Sequence, residues 1–268
     1  MMQTQLRDDQ RTAYRENGYL ILDSCVSADE IGRVKGIVER LFQIRAGRHN
    51  GDFLDLAGTD DDSEEATLPQ ILMPVKYSPE LAECALREAA LRIARDLLGD
   101  FVHCEGEHAI MKPRLGGAET PFHQDEAFWS DLTEYDSLSV WFPLQDVAED
   151  NGCMRFVTRS HLLGVLPHRS VYGDIRRNGL EIQDSTEFSW VSASLKVGGA
   201  TVHHCRTVHG AGPNRTEHDR FAYIFGFGLP ARRATVGRDF YWLREKQLQR
   251  EERARREGFA LTKMRPEL

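Results

Sequence analysis

Pro121-Phe-His-Gln-Asp125 places His123 and Asp125 two positions apart. On a β-strand, residues i and i+2 leave the same face, so an imidazole nitrogen and a carboxylate oxygen would converge on one point. A second histidine from another strand would complete a two-histidine, one-carboxylate set. Such a set covers one face of an octahedral metal and leaves the other open, the arrangement that suits non-haem Fe(II). His209 is the candidate, in Val208-His-Gly-Ala-Gly-Pro-Asn214, at a strand end just before a Gly/Pro/Asn turn. Beyond that turn Arg220 opens the apolar run Arg220-Phe-Ala-Tyr-Ile-Phe225. An arginine inside a strand is costly unless paired, and its planar fork suits bidentate capture of a carboxylate. A ferrous dication, one aspartate and a dicarboxylate together leave one negative charge, which one arginine neutralises.

Each residue also has an ordinary reading. A lone His-x-Asp pair is weak, and His103-Cys-Glu105 is a competitor of the same kind. A buried histidine is most often only hydrogen-bonded, and a buried arginine can close an internal salt bridge. His203 and His204 lie near His209, and either would replace it if the strand register were shifted. His209 is preferred because it precedes the turn and the arginine. Arg206 reads first as a surface ion pair.

These residues need strands to position them. Between 101 and 229, short runs rich in Val, Phe, Trp and Thr alternate with Gly, Pro, Asn and Asp turns. The expected strands are 101–104, 107–112, 121–125, 137–146, 153–158, 194–197, 200–205 and 220–228, a spacing typical of an antiparallel sandwich or barrel. Before them come a polar helix over 5–16, a strand at 19–22, and a helix from about 28 to 44. Ser27 and Glu30 form a capping box for that helix, and Ile31, Val34, Val38 and Leu41 recur on one face. Ser78-Pro79 should open another helix running to about Leu98, closed by Gly99. The stretch 46–68, with Asp60-Asp61-Asp62-Ser63-Glu64-Glu65, reads as a solvated loop, 164–190 as a long insertion, and 238–268 as an exposed helix or tail.

Of the 268 residues 41% are hydrophobic and 28% charged, ordinary for one globular domain with a sizeable core. The net charge of −8 argues against nucleic acid or an anionic membrane as partner. The 5 cysteines are scattered without a paired spacing, so reduced thiols are expected. Met1 to Asn17 is charged and lacks an apolar signal core, which suggests a cytoplasmic protein. Nothing specifies an oligomeric state.

His123-Gln-Asp125, Trp141, Asp146, Asn151-Gly-Cys-Met-Arg-Phe-Val-Thr-Arg-Ser-His161, His209 and Arg220, taken in order, resemble the phytanoyl-CoA dioxygenase (PhyH) family. Lys112-Pro113, Gly116-Gly117 and Gly198-Gly199 fit the same pattern, and the likeness covers roughly 10–230. It implies a mainly β fold with flanking helices and a double-stranded β-helix (jelly-roll, cupin-like) core. His123, Asp125 and His209 would hold Fe(II), Arg220 the distal carboxylate of 2-oxoglutarate, and Trp141, Gln124 and Lys112 would line the cosubstrate pocket. O2 would be the second cosubstrate, and hydroxylation of a small molecule with release of succinate and CO2 the default reaction. Asp125 argues against halogenation, because related halogenases lack the carboxylate. Two departures stand out. Thr158-Arg-Ser-His161 replaces the family's frequent Pro-Gly-Ser-His, and Ala211 replaces a Ser or Thr that contacts the cosubstrate.

A non-redox cupin-like isomerase or binding protein, and a silent scaffold of the same fold, are the competing classes. Substrate choice should lie in 46–68, 126–136 and 164–190, with Phe128, Trp129, Tyr172 and Trp190 as possible lining. No segment resembles a cradle for coenzyme-A phosphates.

Overall fold

The computed structural model describes residues 5–61, 65–184 and 188–262. Helix α1 (Asp8–Asn17), strand β1 (Tyr19–Leu22), helix α2 (Ala28–Gln43), strands β2 (Phe53–Asp55) and β3 (Pro69–Leu72) and helix α3 (Ala85–Leu98) precede the long strand β4 (His103–Lys112). Next come β5 (Thr120–His123), β6 (Thr133–Glu134), β7 (Ser137–Pro143), β8 (Met154–Phe156), β9 (His168–Ser170) and β10 (Leu180–Ile182). Strands β11 (Val191–Ala193), β12 (Ala200–His204), β13 (His209–Ala211), β14 (Arg220–Gly228) and β15 (Arg232–Arg233) lead to helices α4 (Tyr241–Arg244) and α5 (Gln249–Arg256). One seven-stranded sheet runs β1-β12-β7-β14-β4-β3-β2, and a four-stranded sheet runs β11-β8-β13-β5. The pairings within both are antiparallel.

The larger sheet is buried on both faces. Phe221, Tyr223, Phe225 and Phe227 of β14 join Leu138, Val140 and Phe142 of β7 in a core with Ile31, Val34 and Val38 of α2 and Ala90 of α3. On the opposite face Ala222 and Ile224, with Ile110 and Trp141, meet Met154, Phe156 and Ala211 of the smaller sheet. Burial on both sides explains why β7 and β14 read as nearly unbroken apolar runs. The period of two then assigns the polar residues: Arg220, Ser139, His108, Lys112 and His203 all share parity with the inter-sheet face.

The helices follow their local signals with small differences. Ser27 Oγ accepts the Glu30 amide at 3.3 Å, but the Glu30 carboxylate turns instead to the Ala85 amide, 2.9 Å away, and to Arg33. Helix α1 ends on Gly18, whose φ of 85° is the left-handed conformation that glycine adopts without strain. The helix expected from Ser78 is broken: a 3₁₀ turn at Pro79–Glu83 precedes α3.

Several expected boundaries move. Residues 103–104 of the first expected run and all of 107–112 lie in the single strand β4, and the strand expected over 194–197 lies instead at β11. Leu195 makes only a bridge to Val147. The insertion 164–190 carries the β9–β10 hairpin.

The largest correction concerns 46–68, which is not a solvated loop. Strands β2 and β3 extend the main sheet, and Asp52, Asp55 and Asp60 are buried. Asp55 Oδ1 accepts the amides of Ala57 at 3.1 Å and Leu68 at 2.9 Å. Asp60 is clamped between Arg48 and Arg253. An acidic run reads as solvated until its partners, here distant arginines, are in place. Residues 62–64 of that run, 185–187 of the insertion and 263–268 of the tail lie outside the described residues.

The segment from 238 is not a free tail either. Phe240 and Trp242 are buried, Trp242 Nε1 donates to Ala127 O at 2.9 Å, and Arg253 anchors α5 to Asp60. No helix among the described residues is long and apolar enough to cross a membrane. Asp60→Asn keeps the side-chain shape but leaves two buried arginines without a counter-charge. It should lower stability by about 3 kcal/mol, read from urea denaturation, and increase amide exchange across α5.

Candidate metal centre

Strand β13 pairs with β5 so that His209 lies directly opposite His123. Close approach there depends on Gly210: a Cβ at that position would sit 2.7 Å from Thr120 O. Asp125 follows β5 as the first residue of a 3₁₀ turn, Asp125–Phe128, rather than as a strand residue. Gln124 between them is still extended, so the same-face relation of His123 and Asp125 holds. One ligand atom from each of His123, Asp125 and His209 lies within 4.8 Å of the others. Asp125 Oδ1 is 3.5 Å from His209 Nε2 and 3.9 Å from His123 Nε2.

Both rings are turned by their own chain. His123 Nδ1 lies 2.8 Å from Pro121 O and His209 Nδ1 2.8 Å from Thr207 O. A carbonyl can only accept, so each Nδ1 carries the proton and each Nε2 offers its lone pair to the centre. Burial lowers the pKa of both imidazoles. Burial works the other way on Asp125, but the surrounding histidines outweigh it and hold its carboxyl below the usual range. All three groups are thus biased to the protonation state that a metal requires.

The second oxygen of Asp125 is held separately. Ser139 Oγ donates to Oδ2 at 2.7 Å, and His203 Nε2 lies 3.3 Å from the same atom. Ser139 and His203 are register partners across β7 and β12, so two strands fix one carboxylate oxygen and leave Oδ1 facing the histidines. His203 thus braces the triad. His204 faces elsewhere, with its Nδ1 accepting the Arg206 amide at 3.0 Å. His103 is exposed, and among the described residues its pair with Glu105 gathers no third ligand.

Arg220 borders the same cavity, which holds about 640 Å³. Its side chain is buried, Nε donates to Asn151 O at 3.4 Å, and Nη1 has no partner. No carboxylate among the described residues lies within 4.0 Å of it, which removes the internal salt-bridge reading. Its guanidinium carbon stands 5.6 Å from the centre of the Trp141 ring. Burial without a compensating anion pushes Arg220 down to about 9, the signature of an uncompensated charge.

Two expected pocket residues do other work. Gln124 is fully buried and spends its amide on the chain: Nε2 donates to Gly164 O and Arg206 O at 2.7 and 2.6 Å, and Oε1 accepts the Leu166 amide at 2.8 Å. It ties the insertion to the turn after His123 and does not line the cavity. Lys112 is also buried, and its Nζ donates to Ala118 O and, at 3.0 Å, to Thr120 Oγ1. It acts on the cavity only through Thr120. The unusual Thr158-Arg-Ser-His161 turn places Ser160 Oγ 2.8 Å from the Val208 amide, bracing the entry to His209.

Phe128 and Trp129 line the cavity as expected, whereas Tyr172 and Trp190 are exposed outside it. Trp190 packs instead against Phe122 and under Arg155. Sequence reasoning missed Ser139, Thr120 and His108, although the parity of the expected strands 107–112 and 137–146 marks His108 and Ser139. It also missed the wall made by Leu243, Arg244, Arg250 and Leu261, for which no local signal exists. Ser139→Ala removes one of the two contacts on Asp125 Oδ2, leaving His203, without touching a ligand. It should weaken Co(II) binding by at least about tenfold in a spectroscopic titration while leaving the melting temperature nearly unchanged.

Residues 14–222 match the family model of phytanoyl-CoA dioxygenase (PhyH), a span that contains His123, Asp125, His209 and Arg220. A probable alpha-ketoglutarate-dependent hypophosphite dioxygenase from Stutzerimonas stutzeri is 29% identical over 236 residues, covering 82% of this chain and 77% of that protein. Among solved structures, EvdO2 from Micromonospora carbonacea var. aurantiaca superposes with a TM-score of 0.78 at 34% identity, over 91% of this chain and 99% of that one. EvdO2 complexed with 2-oxoglutarate gives 0.77 at 30% identity over the same shares, 91% and 99%. The carbocyclase SnoK from nogalamycin biosynthesis shares the fold, with a TM-score of 0.71 at 24% identity, over 87% of this chain and 89% of that one. With the matched span running through the three ligand candidates and the buried arginine, the chain belongs to the phytanoyl-CoA dioxygenase family of Fe(II)- and 2-oxoglutarate-dependent oxygenases.

Proposed function

We propose that His123, Asp125 and His209 hold Fe(II), that Arg220 grips the distal carboxylate of 2-oxoglutarate, and that the enzyme hydroxylates an unactivated C–H bond of a small molecule. The two facing sheets are read as the halves of a double-stranded β-helix of the jelly-roll, cupin-like kind, with the metal at one end. The observation that carries this reading is Arg220: a buried guanidinium with no acidic partner among the described residues, in the same cavity as three convergent ligand atoms. A dicarboxylate bound between them supplies the missing counter-charge.

Iron with 2-oxoglutarate and O2 supplies the oxidising power, the cosubstrate leaving as succinate and CO2 while the substrate C–H bond is oxidised. The chain supplies orientation. Ser139 and His203 keep Asp125 Oδ1 turned to the histidines, and Trp141 lies against the Arg220 guanidinium. Thr120 answers the departure at Ala211. The two are register partners on β5 and β13, and Thr120 lines the cavity. Its hydroxyl, positioned by Lys112, takes the cosubstrate contact that Ala211 cannot make. The cavity has room for a small organic substrate beside the cosubstrate, and a biosynthetic intermediate suits it better than a bulky coenzyme ester.

Alanine at His123, Asp125 or His209 should abolish succinate formation driven by substrate. Arg220→Ala should raise the KM for 2-oxoglutarate by about a hundredfold, with a smaller effect on kcat. An unchanged KM would remove Arg220 from its assigned role.

A further inference from the structure

Arg220 is not the only guanidinium in the cavity without an acid beside it. Arg250, on α5, lines the same space as His123, Asp125 and His209. Among the described residues its side chain makes one hydrogen bond, from Nη1 to Gly51 O at 3.3 Å, and its Nε has no partner. Two acids that pull on it have other partners: Asp60 is held by Arg48 and Arg253, and Asp52 Oδ2 accepts from Tyr77 Oη at 2.6 Å and lies 3.4 Å from Lys76 Nζ, while Asp52 Oδ1 stays without a hydrogen-bond partner. Glu251 also borders the cavity but makes no ion pair with Arg250 within 4.0 Å. Burial lowers the pKa of Arg250 in spite of the pull from these acids. Among the described residues Arg250 thus has no ion pair of its own at this wall.

Its position is set by packing. Gly51, with a φ of +78°, lets the chain close against α5: a Cβ there would lie 2.9 Å from Leu261 Cδ2 and 3.2 Å from Arg250 O. One turn on, Arg253 donates to Arg48 O at 2.9 Å and to Asp60 Oδ2 at 2.5 Å. The backbone of Arg250 is therefore locked to the segment before β2 while its head group lacks a counter-ion. Leu54, Leu72 and Leu261 border the same cavity, and apolar walls strengthen any charge pairing made there.

We propose that Arg250 is the anchor for a carboxylate on the substrate, so that the enzyme oxidises a small organic acid held by its acid group at the C-terminal wall. The inference rests on the preceding reading, in which the triad and Arg220 are committed to metal and cosubstrate. A carboxylate is favoured over a phosphate because one unpaired guanidinium balances one negative charge. Asp131 and Glu251 in the same lining would oppose a dianion. The acid end fixed at this wall leaves the remainder of the molecule to run along the cavity toward the triad, which selects the carbon that is oxidised.

The test uses the full chain loaded with Co(II) and saturated with 2-oxoglutarate, so that Arg220 is already occupied. Benzoate, 3-phenylpropionate and 5-phenylvalerate, each with its uncharged carboxamide, are titrated by ligand-observed NMR against wild type, Arg250→Gln and Arg250→Lys. At least one acid should bind about tenfold or more tightly than its amide. Arg250→Gln should erase that preference and Arg250→Lys should keep part of it, with 2-oxoglutarate affinity unchanged in all three proteins. Acids and amides binding alike, no acid binding at all, or a preference that survives Arg250→Gln would overturn the proposal. Loss of 2-oxoglutarate binding by wild type with Co(II) would instead count against the assigned metal and cosubstrate site.

Discussion

A β-sheet covered on both faces has no neutral place for a polar side chain, and that constraint organises this molecule. Helices α2 and α3 seal one face of the seven-stranded sheet with Phe221, Tyr223, Phe225 and their neighbours. Every strand residue of the other parity must then face the four-stranded sheet. Arg220, His203, Ser139, His108 and Lys112 are consequently brought to one region by parity alone. In such a place a polar group has to be matched or it is destabilising. The pattern of matching is therefore informative about what the region is for.

Most of the inward groups are matched within the chain. Asp125 takes Ser139 and His203 on one oxygen, His123 and His209 lean on backbone carbonyls, and Lys112 is held by Ala118 O and Thr120. Among the groups left unmatched, besides His108 Nδ1 and His203 Nδ1, are two imidazole Nε2 atoms, one carboxylate oxygen, and part of the guanidiniums of Arg220 and Arg250. The first three describe a ligand set for a cation, and the arginines describe sites for anions. On the proposal made above, a dication flanked by these two arginines would bring a dicarboxylate and an acidic substrate to one metal.

Where the expectations from sequence moved, the cause was a partner distant along the chain. Gln124 sits between two ligand candidates and invites a role in the pocket, yet its amide satisfies three backbone groups from 164, 166 and 206. The acidic stretch 46–68 suggests solvent, yet Asp60 lies between Arg48 and Arg253. The segment after 238 suggests a loose tail, yet Phe240, Trp242 and Arg253 draw it onto the body, where it closes one wall of the cavity. In each case the partner that fixed the residue's role was far away in the chain.

Most strands of the core, helices α1 and α2, and the candidate set His123, Asp125, His209 and Arg220 were legible in the sequence, with His203 and His204 open as alternatives to His209. These depend on local periodicity, on turn residues, and on side-chain types whose chemistry is visible one residue at a time. Tertiary structure alone decided which histidine joins the triad and which braces it, that Arg220 has no acid beside it among the described residues, and that Thr120 stands opposite Ala211. It also decided that Arg250 reaches the cavity at all. Those outcomes follow from strand register and long-range packing, and the pairing of one strand with another is set by the whole buried surface rather than by any segment of the chain.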